Sequence, residues 1–232
     1  MKKFFSSFHG LSLFLIAKCA VLVPISYKLF SSDAPLAWIV HTVSPYFSLY
    51  NCIKPLSGAF GGVGGAFMIA LASLVSSIVL KGSIVFSTAF LSLYLPGLAA
   101  SLYWATAHWM VRLALPLLCI VLFIVHPVGM GAWAYTLLWF VPVVLWIKGG
   151  ASLFEKALAS TVTAHAVGSV IWLYTLPSVS SFWISLIPMA LTERFFFAAG
   201  MVIAYHLYAL LVQMVHAVSK KGVAAIRNSF VA

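Results

Sequence analysis

Glu193 and Arg194 are adjacent charged residues inside a long apolar run. The run covers 183–215 and reads WISLIPMALTERFFFAAGMVIAYHLYALLVQMV, and Glu193 is one of only three acidic residues in the chain. Hydrocarbon solvates charge poorly, so a carboxylate in such a segment must be paired, hydrogen-bonded or exposed to a wet cavity. The pair therefore indicates a ligand pocket or an ion path. The alternative is a locked ion pair that serves only packing.

His165 is the polar residue of the preceding apolar run, TVTAHAVGSVIWLY. If 156–176 runs outward and 184–216 returns, His165 lies about 16 Å and Glu193 about 14 Å below the outer side, at 1.5 Å per helical residue. The two side chains are therefore expected at similar depth, where they could flank one ligand. The alternative for His165 is an ordinary hydrogen bond between two helices.

Aromatic and polar residues crowd the segment ends that we expect to face outward. Trp and Tyr in such places often form an interfacial belt, but an aromatic wall with a few polar groups is also the usual design of a small-molecule site. We predict that they line a ligand together with Glu193 and His165. These residues are His126, Trp133, Tyr135, Trp139, Trp172 and Trp183.

Motifs for catalysis are missing from the sequence. It contains no HExxH, no GxSxG, no paired aspartates and no nucleotide-binding loop. The three cysteines are isolated in or beside apolar runs, without the spacing of a metal site. We therefore expect a protein that is not an enzyme and that has no cofactor and no metal.

The composition is typical of a polytopic membrane protein. The chain is 64% hydrophobic and 7% charged, whereas a soluble domain carries roughly a quarter charged residues. We predict an all-α membrane helix bundle, since about 20 apolar residues span a bilayer core. The eight predicted spans are 11–30, 36–53, 58–80, 84–105, 110–126, 130–147, 156–176 and 184–216. An alternative for 36–53 is a short interfacial or re-entrant segment.

The net charge of +10 comes from basic residues at segment ends, which is how cytoplasmic loops and termini are marked. Both termini are basic, so both are expected in the cytoplasm, and an even number of spans follows. The predicted organisation is an N-terminal membrane hairpin (1–55), a six-helix core (56–218) and a basic cytoplasmic tail (219–232). The expected location is the inner (plasma) membrane.

Small residues recur every fourth position at the start of the third span. They are Gly58, Gly62, Ala66 and Ala70. Such a face allows another helix to approach closely, which is how membrane helices associate. It predicts either packing within the bundle or docking of a separate membrane subunit.

Residues 56–218 resemble the substrate-binding S components of energy-coupling factor vitamin transporters. The similarity lies in TAHAVGSVIWLY, the short loop with Trp183 and the last helix with Glu193, and in the Ala66–Ala70 face. The resemblance implies a six-helix core with Trp183, Glu193 and His165 near a ligand. It also implies that Ala66 and Ala70 contact an energy-coupling transmembrane subunit. The spans in 11–53 have no counterpart in that family.

The expected function is uptake of a vitamin-like or precursor molecule from the outer side, driven by an ATPase partner. One alternative is an integral-membrane enzyme acting on a lipid or isoprenoid, with His165 or Glu193 as acid or base. That enzyme would need a further polar group at the same depth, such as Thr161, Thr163 or Thr192. Another alternative is a non-catalytic assembly subunit. The sequence gives no sign of nucleic-acid binding.

Overall fold

In the computed structural model, residues 52–81 and 88–229 are described, and all of their regular structure is helical. The predicted spans 11–30 and 36–53 lie outside the described residues, except for 52 and 53. The all-α prediction is confirmed for the described part of the chain.

Eight α-helices follow one another in these two ranges. They are α1 (Leu56–Lys81), α2 (Thr88–Ala105), α3 (Leu115–Val125), α4 (Pro127–Met130), α5 (Phe140–Lys148), α6 (Leu153–Thr175), α7 (Ser180–Ser185) and α8 (Ile187–Ser229). A π-helical turn, Met110–Ala114, precedes α3, and a 3-10 segment, Trp133–Trp139, precedes α5. Each of the six predicted spans of the core overlaps one of these helical stretches, but α8 continues 13 residues past the predicted end at 216. Residues 84–87 of the predicted span 84–105 lie outside the described residues.

Two described helices are long and apolar enough to cross a membrane. They are Leu153–Thr175, which is α6, and Ile187–Met214, which is the first part of α8. Shorter apolar helices cover Leu56–Ala72, Met110–Val125 and Trp133–Lys148. The crossing of a membrane by all six core spans stays a prediction.

Helix α6 is the central element, since it packs against α2, α3, α5 and α8. It begins with a capping box. The Ser152 side chain accepts from the Glu155 backbone N–H, and the Glu155 carboxylate accepts from the Ser152 backbone N–H. Small side chains, including Ala157, Ala159 and Ala166, are fully buried along the helix. They allow its neighbours to approach on several sides.

Helix α1 carries the small-residue ladder, and it is kinked there. Gly62 has φ 59° and ψ −155°, a conformation that essentially only glycine adopts. A Cβ built on Gly58 would overlap with the Ser101 carbonyl oxygen of α2. Ala66 is fully buried, and Ala70 is half-buried. The ladder therefore packs within the chain at Gly58, while docking of a separate subunit on this face stays a prediction.

Buried apolar residues form two clusters along the bundle. The first joins α3, the 3-10 segment, α6, α7 and the start of α8, and it includes Phe123, Trp139 and Trp183. The second joins the start of α1, the end of α2, the start of α6 and the middle of α8, and it includes Trp104 and Met201. On α8, Glu193 and Arg194 lie between Ala190 of the first cluster and Phe197 of the second, whereas His165 on α6 lies within the first cluster.

Candidate functional site

A short hydrogen-bond chain lies in the middle of α6. Tyr135 Oη is 2.8 Å from His165 Nε2 and 3.3 Å from Ser169 Oγ. Tyr135 comes from the 3-10 segment, so the chain ties that segment to the central helix. The sequence predicted Tyr135 and His165 as site residues, and the structure brings them into direct contact.

Three aromatic side chains surround Tyr135 and His165 on one side. Phe123 is the hub, with ring centroids 5.6 Å from Tyr135, 5.1 Å from Trp139 and 5.3 Å from Trp183. The Trp139 and Trp183 contacts with Phe123 are edge-to-face, the arrangement that aromatic pairs favour. The Trp139 ring also lies 6.5 Å from the His165 ring. The predicted residues Trp139 and Trp183 thus form a wall of this cluster.

Glu193 and Arg194 form an ion pair with each other across adjacent positions of α8. Arg194 Nη2 lies 3.0 Å from Glu193 Oε2, and both side chains are nearly buried. Arg194 Nη1 donates to Thr161 Oγ1 of α6 at 3.1 Å. Its guanidinium also lies 4.7 Å from the Phe197 ring centroid. The opposite charges of Glu193 and Arg194 therefore neutralise each other.

The polar groups of α6 share one face of that helix. Thr161, His165 and Ser169 are spaced by four residues, which places them one above another on an α-helix. Thr161 accepts a hydrogen bond from Arg194, and His165 and Ser169 are hydrogen-bonded to Tyr135. Arg194 is also within electrostatic reach of His165 and Tyr135. One helix face thus joins the ion pair to the hydrogen-bond chain, and we call these six residues the central polar layer.

Two buried donors at this layer have no hydrogen-bond partner in the described part of the chain. They are Trp139 Nε1 and Arg194 Nε. Trp139 is 0% exposed. A buried donor without an acceptor costs about 1–3 kcal/mol. A ligand that accepts hydrogen bonds would offset that cost.

Three predicted ligand residues lie outside both the central polar layer and its aromatic wall. Trp133 and Trp172 are 57% and 48% exposed, so neither belongs to the buried cluster. His126 caps α4 by accepting from the Val128 backbone N–H, and its ring packs on Tyr174 at 5.0 Å. These positions suit an interfacial belt, the other reading that the sequence allowed.

Sequence reasoning missed three partners of the predicted residues. Phe123 joins the aromatic wall, Ser169 accepts or donates at Tyr135, and Ser178 accepts from Trp183 Nε1 at 3.0 Å. The four-residue step from His165 is a signal that could have found Ser169. Phe123 has no such signal, because one phenylalanine among 18 carries no distinctive pattern.

No group of three or more metal-ligating side chains occurs within 52–81 and 88–229. No family model, curated protein or solved structure matches the chain.

Proposed function

We propose that this chain is a multi-pass inner-membrane protein that binds a small vitamin-like or precursor molecule at the central polar layer. Large apolar side chains exposed on the bundle support the membrane location. Soluble monomers rarely expose extensive apolar patches. The exposed residues of α8 alone include Ile203, Leu207, Leu210, Leu211 and Met214.

The two buried donors without partners carry the proposal. The donors are Trp139 Nε1, whose ring lies 6.5 Å from the His165 ring, and Arg194 Nε, whose guanidinium donates to Thr161, four residues before His165 on α6. Buried polar groups are normally paired in the finished structure. A bound molecule with acceptor oxygen or nitrogen atoms would supply the pairing, and a flat ring would pack on the wall.

Charge balance favours an uncharged ligand. Arg194 is already paired with Glu193 at 3.0 Å. A carboxylate added beside that pair would bring an uncompensated charge into a poorly solvated region, which costs several kcal/mol. We therefore expect carbonyl or ring-nitrogen acceptors in the ligand rather than an acid group.

Transport is the proposed role of this binding site, and the sequence carries no recognised motif for nucleotide hydrolysis. Uphill import would then draw its energy from a separate ATPase, acting through an energy-coupling membrane subunit. The half-buried part of the small-residue face, at Gly62 and Ala70, is the proposed contact for that subunit.

Native mass spectrometry of the gently purified protein tests the binding proposal, because it detects small molecules and subunits together. We expect an uncharged, vitamin-sized molecule on the unaltered protein. Trp139→Phe removes one donor and keeps the ring, so it should reduce the retained molecule by about 2- to 10-fold, the value of one hydrogen bond.

Trp133→Phe is the matched control, because it makes the same change at an exposed indole. It should leave retention unchanged. A protein that is empty in every preparation, but tied to a constant partner, would contradict the binding proposal and favour an assembly subunit.

A further inference from the structure

A second cluster with an unpaired buried donor lies at the N-terminal end of α6 and is made by Trp104, Arg112 and Lys156. Trp104 is 4% exposed, and its Nε1 has no hydrogen-bond partner in the described residues. Lys156 Nζ lies 4.8 Å from the centroid of the Trp104 ring. Tyr205 stacks on the same indole at 5.9 Å. A buried donor and an ammonium group therefore meet at one aromatic ring.

Arg112 adds a second positive charge to this cluster. It is close enough for its charge to act on Lys156. Two of its nitrogens are held by backbone carbonyls, since Nε donates to Thr106 at 2.9 Å and Nη2 donates to Tyr103 at 3.3 Å. These bonds fix the guanidinium and leave Nη1 for another acceptor.

No carboxylate forms an ion pair with Arg112 or Lys156 within the described ranges. The ion pairs there are Lys148 with Glu155 and Arg194 with Glu193. Two neighbouring cations repel each other, and only an anion would turn that repulsion into attraction. An arginine, a lysine and an indole N–H are all donors, which together fit the oxygens of a phosphate group.

The position of the cluster points to a lipid as the source of the phosphate. Lys156 is the fourth residue of α6, so it lies at the end of a helix long enough to cross a membrane. Trp109 and Met110, beside Arg112 in the chain, are 53% and 57% exposed. Exposed apolar side chains beside cations are typical of the membrane–water interface, where headgroups lie.

We propose that Trp104, Arg112 and Lys156 form a binding site for the phosphate of an anionic lipid headgroup. The proposal is independent of the small-molecule site in the central polar layer. Lipid bound here would neutralise the two cations and give the Trp104 N–H an acceptor. It would also fasten the ends of α2 and α6 to one leaflet.

The test uses the full chain in nanodiscs of equal phosphatidylglycerol and phosphatidylcholine, with native mass spectrometry after release. We expect the unaltered protein to retain phosphatidylglycerol in preference to phosphatidylcholine. Each cation near an anionic surface is worth about 1 kcal/mol. Lys156→Gln and Arg112→Gln should therefore each lower phosphatidylglycerol retention by about fivefold.

Two variants separate charge from structure. Arg112→Lys keeps the charge while changing the backbone contacts, so it should keep most of the retention that Arg112→Gln loses. Lys148→Gln removes a cation of the same end that is exposed and already paired with Glu155 at 2.7 Å. It should leave retention unchanged. Equal losses in Lys148→Gln and Lys156→Gln would overturn the site, as would unaltered retention in Lys156→Gln.

Competition with inorganic phosphate distinguishes a lipid phosphate from the phosphate of a soluble compound. Phosphate in excess should not displace phosphatidylglycerol, because a lipid also holds by its acyl chains. If inorganic phosphate adds to the lipid-free protein, depends on Lys156, and displaces phosphatidylglycerol, the site serves a soluble phosphate compound and the lipid assignment is wrong. If neither phosphatidylglycerol nor phosphate is retained, the proposal fails altogether.

Discussion

The central polar layer and the basic cluster of Trp104, Arg112 and Lys156 are built from similar side chains. Each has an arginine near an aromatic ring, and each includes or adjoins a buried indole N–H without a partner in the described residues. The difference is charge balance. Arg194 has Glu193 at 3.0 Å, whereas Arg112 and Lys156 have no carboxylate in the described part of the chain. Lys156 and His165 are nine residues apart on α6, or about 14 Å.

If α6 crosses a membrane, the distance between Lys156 and His165 explains the difference in charge balance between the two regions. A charge near the middle of a bilayer must be neutralised by the protein itself, because neither water nor headgroups reach it. A charge near the end can be neutralised by lipid phosphate. On our two proposals, the ligand at the central polar layer is therefore neutral and the ligand at the basic cluster is anionic.

The largest expected effect comes from breaking the ion pair between Glu193 and Arg194. Arg194→Met removes the cation that lies 3.0 Å from the nearly buried Glu193 carboxylate, which should destabilise the fold by about 3–5 kcal/mol. Thermal unfolding in detergent measures it. Glu193→Met combined with Arg194→Met removes both charges and should recover most of the loss.

Lys156→Met is the counterpart at the basic end. It removes a cation without stranding a partner, so it should cost only the cation–π contact with Trp104, about 1 kcal/mol. Equal losses for Arg194→Met and Lys156→Met would remove the distinction between the two regions.

Lys54 offers a second test of charge at the basic end. It lies before α1, is 7% exposed, and its Nζ is 5.5 Å from the Tyr94 ring centroid. Burial lowers the pKa of Lys54 from 10.5 to about 8. The folded state therefore binds fewer protons than the unfolded state between these values, so stability should rise as the pH increases from 8 to 10.5.

Lys54→Met should remove that slope and stabilise the protein at pH 7 by up to about 3 kcal/mol, the free energy of such a shift. The measurement is the unfolding temperature of both proteins from pH 7 to 10.5. Parallel pH profiles would mean that Lys54 stays charged in the folded protein.

Tyr135→Phe tests the neutral hydrogen bonds of the central polar layer. It removes the contacts with His165 at 2.8 Å and Ser169 at 3.3 Å and should cost about 1 kcal/mol. Ser169→Ala should cost less, because Tyr135 keeps its shorter bond to His165. Equal or reversed losses would mean that Ser169, rather than His165, anchors the tyrosine.

The sequence predicted the helical stretches and part of the central polar layer for physical reasons. Apolar runs locate helices well, since burial in lipid or protein demands them, and rare charges mark positions such as Glu193. Side-chain direction was harder. Trp133 and Trp139 are six residues apart in one aromatic stretch, yet one is 57% exposed and the other fully buried. Three residues per turn place both indoles on the same side of the 3-10 segment. The difference therefore comes from the side chains that pack against each indole, and the sequence does not show these.

The pairing of Arg194 was also beyond the sequence. Adjacent helix positions point about 100° apart, so the pair with Glu193 depends on the side-chain conformations. Thr161 was only one of three threonines expected at the depth of His165 and Glu193. In the structure it is the one that accepts a hydrogen bond from Arg194. The kink at Gly62 had no signal, because glycine at four-residue spacing is equally typical of a straight packing face.

The smallest effect concerns the two indoles without partners, and it tests whether the two regions act separately. Trp139→Phe should lower retention of the small molecule but leave phosphatidylglycerol retention unchanged. Trp104→Phe should lower phosphatidylglycerol retention but leave retention of the small molecule unchanged. Each change removes one donor and keeps an aromatic ring, so the losses should be about 2- to 10-fold.

Native mass spectrometry of both variants in one nanodisc preparation gives the two readouts together. A crossed pattern supports two sites with different ligands. If either variant lowers both readouts equally, α6 couples the two regions. Occupation of one site would then depend on occupation of the other. The two regions would be parts of a single site that differ in charge balance.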